Sequence, residues 1–384
     1  MTRLHATPQT QARSPGGLTV DQQVHRLDDD LSAEVCRELT AFLAAKRDEA
    51  GQLDPWFATV VDALTDFVLG GGKRIRPTFA WWGWRGAGGT PEGPQARAVL
   101  RAVSSLELIQ ACALVHDDLI DGSTTRRGAP TVHVDFAARH RSAGWLGAPE
   151  RFGSAAAVLL GDLALAWADD MLREAGLWPD QLRRAHRVWQ AMRTELLAGQ
   201  YLDVLTQACG DESPEAALRI DRYKTAAYTV ERPLHLGAAI GGAPAGLVDA
   251  YRRFGADLGV AFQLRDDLLG MFGDPQVTGK PAGDDLREGK RTLLLAWGLR
   301  TADEQRRTAA AGLLRGAIGD PQVDEDTVTA IRELLVELGA VAEIERRITE
   351  LTDSALARLR VADLAEPAAG RLTELALRAT RRDS

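Results

Sequence analysis

The sequence predicts an all-α protein, a bundle of about ten or more helices, and three observations support that prediction. Apolar residues recur at intervals of three and four along most of the 384-residue chain, which is the period of a helix with a buried face. No segment shows a convincing apolar-polar alternation bounded by turn residues, as a half-buried strand would. Glycine- and proline-rich breaks separate the periodic segments. Helices without strands bury their apolar faces by packing on one another.

The first strongly periodic segment leads directly to Asp117. Its apolar positions are Val99, Val103, Leu106, Ile109 and Ala113. Later helices are predicted over residues 155–172, 182–208, 216–241, 248–270 and 328–360. Breaks are predicted within residues 86–94, 144–153, 210–214, 241–246 and 273–283. Because no linker divides the middle of the chain, we expect a single all-α domain over residues 21–384, preceded by a flexible polar tail over residues 1–20.

The composition excludes several classes of protein. With 46 basic and 54 acidic residues the net charge is −8, which argues against a nucleic-acid binder. The three cysteines form no CxxC pair, and the N-terminus lacks the apolar core of a secretory signal. No apolar run reaches the ~20 residues that cross a membrane; the best candidate, residues 155–168, is interrupted by Asp162. We therefore expect a cytoplasmic protein with reduced thiols and no transmembrane segment.

Two acidic segments end predicted helices and are the most informative feature of the chain. They read HDDLID at residues 116–121 and RDDLLG at residues 265–270. Asp117 and Asp121 are four residues apart and therefore share one face of a helix. Carboxylates at this density repel one another unless a cation compensates, and Mg²⁺ prefers such oxygen ligands together with substrate phosphates. The pattern indicates a diphosphate held by Mg²⁺ between two helices.

Basic clusters accompany both acidic segments. They read GGKRIRP at 71–77, RRG at 126–128, YKT at 223–225, TGKP at 278–281 and EGKR at 288–291. Together with the acidic segments they resemble the trans-isoprenyl diphosphate synthases, the polyprenyl synthetase family. The likeness runs from GGKRIRP through LVHDDLID, RRGAPTVH, LLGDLALA, ELLAGQYLD and YKTAAYTVERPLHLGA to FQLRDDLLGMFGDPQVTGKPAGDDLREGKRT, roughly residues 40 to 300. The wording is most similar to actinobacterial-type geranylgeranyl diphosphate synthases.

The resemblance implies a helical bundle of the isoprenoid synthase type around a central cavity, usually as a homodimer. It also implies head-to-tail condensation of isopentenyl diphosphate with an allylic diphosphate of five to fifteen carbons. Departure of the charged diphosphate is the difficult step, for which Mg²⁺, three ions per active site, and basic side chains are the expected aids. Asp117, Asp121 and Asp266 match the metal ligands of the family, and Asp118 and Asp267 are supporting catalytic carboxylates.

The resemblance also assigns the basic residues. Lys73, Arg76 and Arg127 match the positions that hold isopentenyl diphosphate, and Arg126, Lys224 and Lys280 match those that hold the allylic diphosphate, with Lys224 and Lys280 also catalytic. Arginine offers a planar fork to phosphate oxygens and lysine a mobile charge. Thr225 and Gln263 are expected to contact substrate. Gln200 and Asp203 are expected to support the metals.

Two positions depart from the pattern of the family. The second acidic segment ends in Gly270 where the full form has aspartate, so one carboxylate is missing. Asp274, Asp284 and Asp285 lie close by in the chain and could replace it through bound water. Gln110 stands where a histidine often contacts isopentenyl diphosphate, and an uncharged side chain there predicts weaker binding.

The residues below Asp117 predict the product length. Ile109, Ala113 and Asp117 lie on one helix face. Asp117 marks the diphosphate end of the bound chain, and along the helix Ala113 lies about 6 Å and Ile109 about 12 Å from it. In the family, bulky aromatic residues four or five positions before the first acidic segment stop growth near C15. Those positions are Ala113 and Cys112 here, both small. We therefore expect geranylgeranyl diphosphate (C20) or a longer product.

Two other functions remain open at this stage. A class I terpene cyclase shares the first acidic motif and the all-α fold, but it has no need of a second diphosphate site. A non-catalytic regulatory subunit of a prenyl synthase would account for Gly270, although such a subunit would be expected to lose aspartates from the first segment too.

Overall fold

The structure is a computed structural model that describes residues 27–28, 30–273 and 283–381. Within these ranges it contains seventeen α-helices, one π-helix and one two-stranded antiparallel ribbon. The α-helices are α1 Leu31–Leu53, α2 Pro55–Leu69, α3 Ile75–Gly86, α4 Gly93–Ser104, α5 Leu106–Ile120, α6 Val132–Ala143, α7 Pro149–Arg173, α8 Pro179–Cys209, α9 Pro214–Ile220, α10 Arg232–Gly241, α11 Ala245–Phe272, α12 Asp284–Arg287, α13 Leu293–Glu304, α14 Thr308–Ala317, α15 Glu325–Glu337, α16 Ala340–Arg360 and α17 Ala368–Ala379. The π-helix is Asp221–Glu231, and the strands are β1 Thr125–Arg126 and β2 Ala129–Pro130. The predicted all-α fold is confirmed.

Three stretches that were each predicted as one continuous helix are interrupted in the structure, so the prediction is wrong there. The stretch leading to Asp117 breaks at Ser105 into α4 and α5. Residues 328–360 form two helices because Gly339 adopts φ +74° between them, a left-handed conformation that glycine tolerates. Residues 216–241 form α9, the π-helix and α10 in succession. The predicted tail, residues 1–20, lies outside the described residues.

The π-helix is the most unusual element of the fold. Its i→i+5 hydrogen bonds widen the turn, and such segments are rare and frequently functional. Glycines let neighbouring helices approach its backbone: a Cβ on Gly199 of α8 would lie 2.3 Å from the Lys224 nitrogen, and one on Gly259 of α11 would lie 2.5 Å from the Ala226 Cα. These contacts hold the π-helix between α8 and α11.

The buried residues form two hydrophobic clusters. The first cluster contains residues of α1–α8, α10, the first half of α11, the end of α16, and α17. It includes the tryptophans Trp81, Trp82 and Trp84. These three are therefore core residues. The other cluster joins the second half of α11 to α13–α15 and the start of α16. Helices α11 and α16 both run through the two clusters.

One stretch of the described residues is long and apolar enough, by length and composition alone, to cross a membrane, and it is not the segment named as the best candidate in the sequence analysis. It comprises α4 and α5, residues Gly93–Ile120, and 78% of its most apolar window is buried inside the protein. The charged residues Arg97, Arg101 and Glu107 interrupt it in the sequence, which is why a search for an uninterrupted apolar run overlooks it. Burial to this degree is typical of core helices.

Candidate active site

A cavity of 590 Å³ opens between α5, α8, the π-helix and α11. Its mouth is polar, and apolar side chains line its deeper part. The lining residues that matter for the chemistry are Lys73, Arg76, Gln110, Ala113, Asp117, Arg126, Arg127, Gln200, Asp203, Asp221, Lys224, Thr225, Gln263, Asp266, Asp267, Asp285 and Lys290. The fold thus brings most of the described site residues of the sequence prediction together, but Ile109, Cys112, Asp118 and Asp121 do not line the cavity.

The first acidic segment forms the end of α5. Asp117 Oδ1 accepts hydrogen bonds from Lys224 Nζ at 2.9 Å and from Gln200 Nε2 at 3.0 Å. Lys224 Nζ also donates to Asp203 Oδ2 at 2.6 Å. Burial alone would raise the pKa of Asp117, but Lys224 and Lys290 outweigh it and lower that pKa. Asp117 is therefore an ionised carboxylate at the cavity mouth.

Asp118 points away from the cavity. It is 1% exposed and accepts two hydrogen bonds of 2.8 Å from Arg126 Nε. Arg126 lies on β1, and its other side faces the cavity. Asp118 thus fixes the position of Arg126, whereas the sequence prediction made it a carboxylate near the metals.

Lys290 links the first acidic segment to Asp285 and Glu288. Its Nζ lies 3.4 Å from Asp121 Oδ2, 3.2 Å from Asp285 Oδ1 and 2.8 Å from Glu288 Oε2. Burial and the neighbouring Asp117 raise the pKa of Asp121 to about 6. The sequence prediction gave Lys290 no role, although its EGKR cluster was a visible signal.

The second acidic segment lies on α11, opposite the first. Asp266 is exposed to the cavity, while Asp267 is 6% exposed and accepts a hydrogen bond of 2.6 Å from Gln263 Nε2. A Cβ built on Gly270 would lie 2.6 Å from Asp285 Oδ2. The carboxylate of Asp285, from α12, therefore occupies the space that an aspartate side chain at 270 would need.

A basic wall faces these carboxylates. Among the described residues, Lys73, Arg76 and Arg127 have no ion pair with a carboxylate. Arg76 Nη2 donates to Thr229 Oγ1 at 2.9 Å, and its guanidinium stacks 4.2 Å from the Tyr228 ring centre. Burial and the neighbouring Arg126 lower the pKa of Arg127. Unpaired cations gathered around a cavity indicate an anion site, and their geometry suits a diphosphate.

The three residues expected to control product length differ in their access to the cavity. Ala113 lines the cavity beside Leu196 of α8. Ile109 is fully buried and does not line it. Cys112 does not line it either; its Sγ lies 3.7 Å from Nδ1 of His116 on the same helix, whose Nε2 lies 3.2 Å from the Val158 carbonyl oxygen of α7. Gln110 lines the cavity and accepts a hydrogen bond of 2.8 Å from Tyr228 Oη. The sequence predicts a substrate contact for Gln110 but not this contact with Tyr228.

The donor set of the cavity fits divalent cations. Asp117, Asp266 and Asp267 line the cavity and offer hard oxygen ligands from two facing helices. Asp121, which the sequence also predicts as a metal ligand, does not line the cavity and lies against Lys290. Asp267 Oδ2 and Asp221 Oδ2 are buried and have no hydrogen-bond partner, which costs free energy unless a cation or proton compensates. Asp221 is a site residue that the sequence analysis missed, because no acidic motif surrounds it. Lys280 and Asp274 lie outside the described residues.

The protein is an all-α bundle, and its central cavity has acidic segments on two facing helices and a separate basic wall. These features define the class of enzymes that bind diphosphates together with divalent metal ions. The family model described as Polyprenyl synthetase matches residues 56–335. The chain is 34% identical over 297 residues to a (2E,6E)-farnesyl diphosphate synthase of Mycobacterium tuberculosis, covering 76% of this chain and 75% of that protein. It is 33% identical over 288 residues to a geranylfarnesyl diphosphate synthase of Aeropyrum pernix, covering 74% and 82%.

A solved structure is also similar. The geranylgeranyl pyrophosphate synthase of Corynebacterium glutamicum, complexed with isoprenyl diphosphate and magnesium, superposes with a TM-score of 0.88 at 46% identity, covering 94% of this chain and 99% of that chain. The chain belongs to the polyprenyl synthetase family and is a prenyl diphosphate synthase. The family is Mg²⁺-dependent, and its substrates are isoprenyl diphosphates.

Proposed function

We propose that this enzyme condenses isopentenyl diphosphate with allylic diphosphates of five to fifteen carbons, with geranylgeranyl diphosphate (C20) or a longer chain as product. The observation that carries the proposal is the division of one cavity into a carboxylate side, a basic wall without ion-pair partners among the described residues, and an apolar depth beginning at Ala113. Two diphosphates and a growing chain need these three environments.

Each side chain has a distinct task in this proposal. Lys73, Arg76 and Arg127 bind the diphosphate of isopentenyl diphosphate. Arg126 and Lys224 hold the allylic diphosphate and stabilise the negative charge that develops as its bond to carbon breaks. Lys280 has the same proposed task. The double bond of isopentenyl diphosphate then attacks the allylic carbon as the bond to its diphosphate breaks, and the released diphosphate takes the proton that the new chain loses.

The metal ligands proposed for the site are Asp117, Asp121 and Asp266, with Asp267 supporting them. Bound Mg²⁺, three ions per site, would neutralise the leaving diphosphate. Gln200 and Lys224 hold Asp117 in place through the hydrogen bonds described above. Thr225 and Gln263 line the same end of the cavity and complete the proposed substrate contacts.

Product length tests the proposal directly. Purified enzyme would be incubated with Mg²⁺, isopentenyl diphosphate and C5, C10 or C15 primers, and the products would be identified by mass. We expect C20 or longer from the wild type. Ala113→Phe should shorten the main product to C15, because the aromatic ring would fill the cavity about 6 Å below Asp117.

Cys112→Phe is the matched control. The Cys112 side chain is buried beside His116 and does not line the cavity, so this substitution should lower thermal stability without shortening the product. Shortening by Cys112→Phe but not by Ala113→Phe would contradict the assigned chain path. Failure of the wild type to condense any primer would favour the regulatory-subunit alternative. Cyclic hydrocarbons released from a single diphosphate would favour the cyclase.

We also propose a homodimer in the cytoplasm. An exposed apolar surface runs along α7 and α8, comprising Val158, Leu159, Leu197, Tyr201, Val204 and Leu205. Asp169 of α7 pairs with Arg193 of α8, which joins the two helices. Exposed apolar side chains on linked helices are typical of an interaction surface, and a second copy of the chain would cover them symmetrically.

A further inference from the structure

We propose that Asp221 is an additional carboxylate ligand, direct or through water, for a divalent cation at the second acidic segment. This inference rests on the proposed function, since it concerns the same metal and diphosphate site. Nothing in the acidic motifs of the sequence points to this residue. Its position at the start of the π-helix brings it to the same cavity that Asp203 and Asp267 line.

The burial of Asp221 without a partner is the first argument. The side chain is 6% exposed, and its Oδ2 has no hydrogen-bond partner. Within the described part of the chain no lysine or arginine forms an ion pair with it; Lys224, three residues on, is committed to Asp117 and Asp203. An enclosed carboxylate oxygen without a partner is costly, and a site that retains one is expected to use it.

The second argument comes from the facing helix. Asp267 Oδ2 is also buried without a partner, while its Oδ1 accepts from Gln263. Asp221 and Asp267 both line the cavity, one from the π-helix and the other from α11. Two such groups facing one cavity suit a hard divalent cation.

The third argument is the missing carboxylate at Gly270. Asp285 Oδ2 lies 2.6 Å from the position of a Cβ there, and Asp285 is already paired with Lys290 at 3.2 Å. A replacement for the lost ligand therefore has to come from another element. The π-helix supplies it, because Asp221 reaches the same cavity from the opposite side.

The test measures metal binding rather than turnover. Asp221→Asn keeps the shape and removes the ligand charge, and Asp48→Asn removes a charge from an exposed position on α1. Binding of Mn²⁺ in the presence of inorganic diphosphate would be followed by electron paramagnetic resonance. We expect the weakest Mn²⁺ site to lose about 10–100-fold in affinity in Asp221→Asn and to stay unchanged in Asp48→Asn.

Thermal unfolding provides the second readout. The rise in melting temperature on replacing EDTA by Mg²⁺ and diphosphate should be smaller for Asp221→Asn than for the wild type or Asp48→Asn. Equal Mn²⁺ affinities and equal rises in all three proteins would overturn the inference. Asp221→Ser serves as a second variant should Asp221→Asn fold poorly. A wild type that binds Mn²⁺ but condenses no primer would refute the proposed function instead.

Discussion

Neighbouring residues of one helix take different parts in this site. Asp117 faces the cavity and contacts Lys224, whereas Asp118 is almost fully enclosed and contacts Arg126. Enclosure of a charge is tolerable only with such a partner. We therefore propose that Asp118 positions Arg126 for the allylic diphosphate, and that Asp117 is the residue that meets the metal.

His235 of α10 gives the stability of the protein a specific pH dependence. Its Nδ1 lies 3.1 Å from Arg232 Nη1 and accepts a hydrogen bond, since a guanidinium can only donate. Burial, then the charges of Arg232 and Arg252, lowers the pKa of His235 to about 4 from 6.5. The unfolded chain thus binds the proton more tightly, so stability is lost as the pH falls from 6.5 to 4.

His235→Asn should remove this loss. Allowing for partial exposure of the ring, the free energy of unfolding of the wild type should fall by about 2 kcal/mol more than that of the variant over this range. Urea unfolding at several pH values measures the difference. His186→Asn, on the surface of α8, should follow the wild type. Parallel curves for the wild type and His235→Asn would refute the assignment.

Single residues show what the sequence can and cannot predict. The lining positions of Asp117, Lys224, Arg76 and Ala113 follow from motif spacing on helices, because one face of a helix is fixed by its period. Asp221 was not predictable in this way, since its place depends on the wider turn of the π-helix. Cys112 shows the complementary failure: a small residue near the motif can still point away from the cavity.

At the level of elements, the approach of α11 to the π-helix is the contact that places Lys224 and Asp221. It depends on Gly259, where a Cβ would lie 2.5 Å from Ala226. Helix α11 itself was predictable from periodicity. Its crossing with the π-helix was not, because a glycine in a sequence does not reveal which backbone it will meet.

Gly259→Ala should destabilise the protein by about 1–3 kcal/mol, since the added methyl group forces the two elements apart. It should also lower kcat by displacing Lys224. Gly246→Ala, in the first turn of the same helix with open space around its Cβ position, should be neutral or stabilising by up to about 1 kcal/mol. Denaturant unfolding and steady-state kinetics compare the two. Similar behaviour of both variants would show that the crossing tolerates more space than the structure suggests.

On the scale of the whole molecule, helices α11 and α16 contribute residues to both hydrophobic clusters. We propose that the two clusters unfold together as one domain, because loss of either cluster would remove part of the packing around α11 and α16. The sequence predicts this continuity through the lack of a linker. The number of helices among the described residues agrees with the prediction of ten or more. Breaks such as Ser105 and Gly339 were not predicted, because they leave the apolar period almost unchanged.

The exposed apolar surface on α7 and α8 predicts the oligomeric state. Light scattering after gel filtration should give twice the chain mass of 41.5 kDa. Leu159→Glu and Leu197→Glu should each shift the protein toward the monomer, because a buried unpaired carboxylate opposes association. Leu146→Glu is the control: Leu146 is 98% exposed in the loop between α6 and α7, and its change should leave the mass unaltered. A wild-type monomer would contradict the proposal.

The arrangement of the cavity separates two properties that an enzyme designer would wish to vary independently. The groups for diphosphate and metal lie at the mouth, on the end of α5, the π-helix and α11, while Ala113 and Leu196 line the depth from the middle of α5 and α8. Enlarging or narrowing the depth therefore changes no charge at the mouth. Selection for a new chain length can act on these two positions while the bond-forming chemistry is inherited intact.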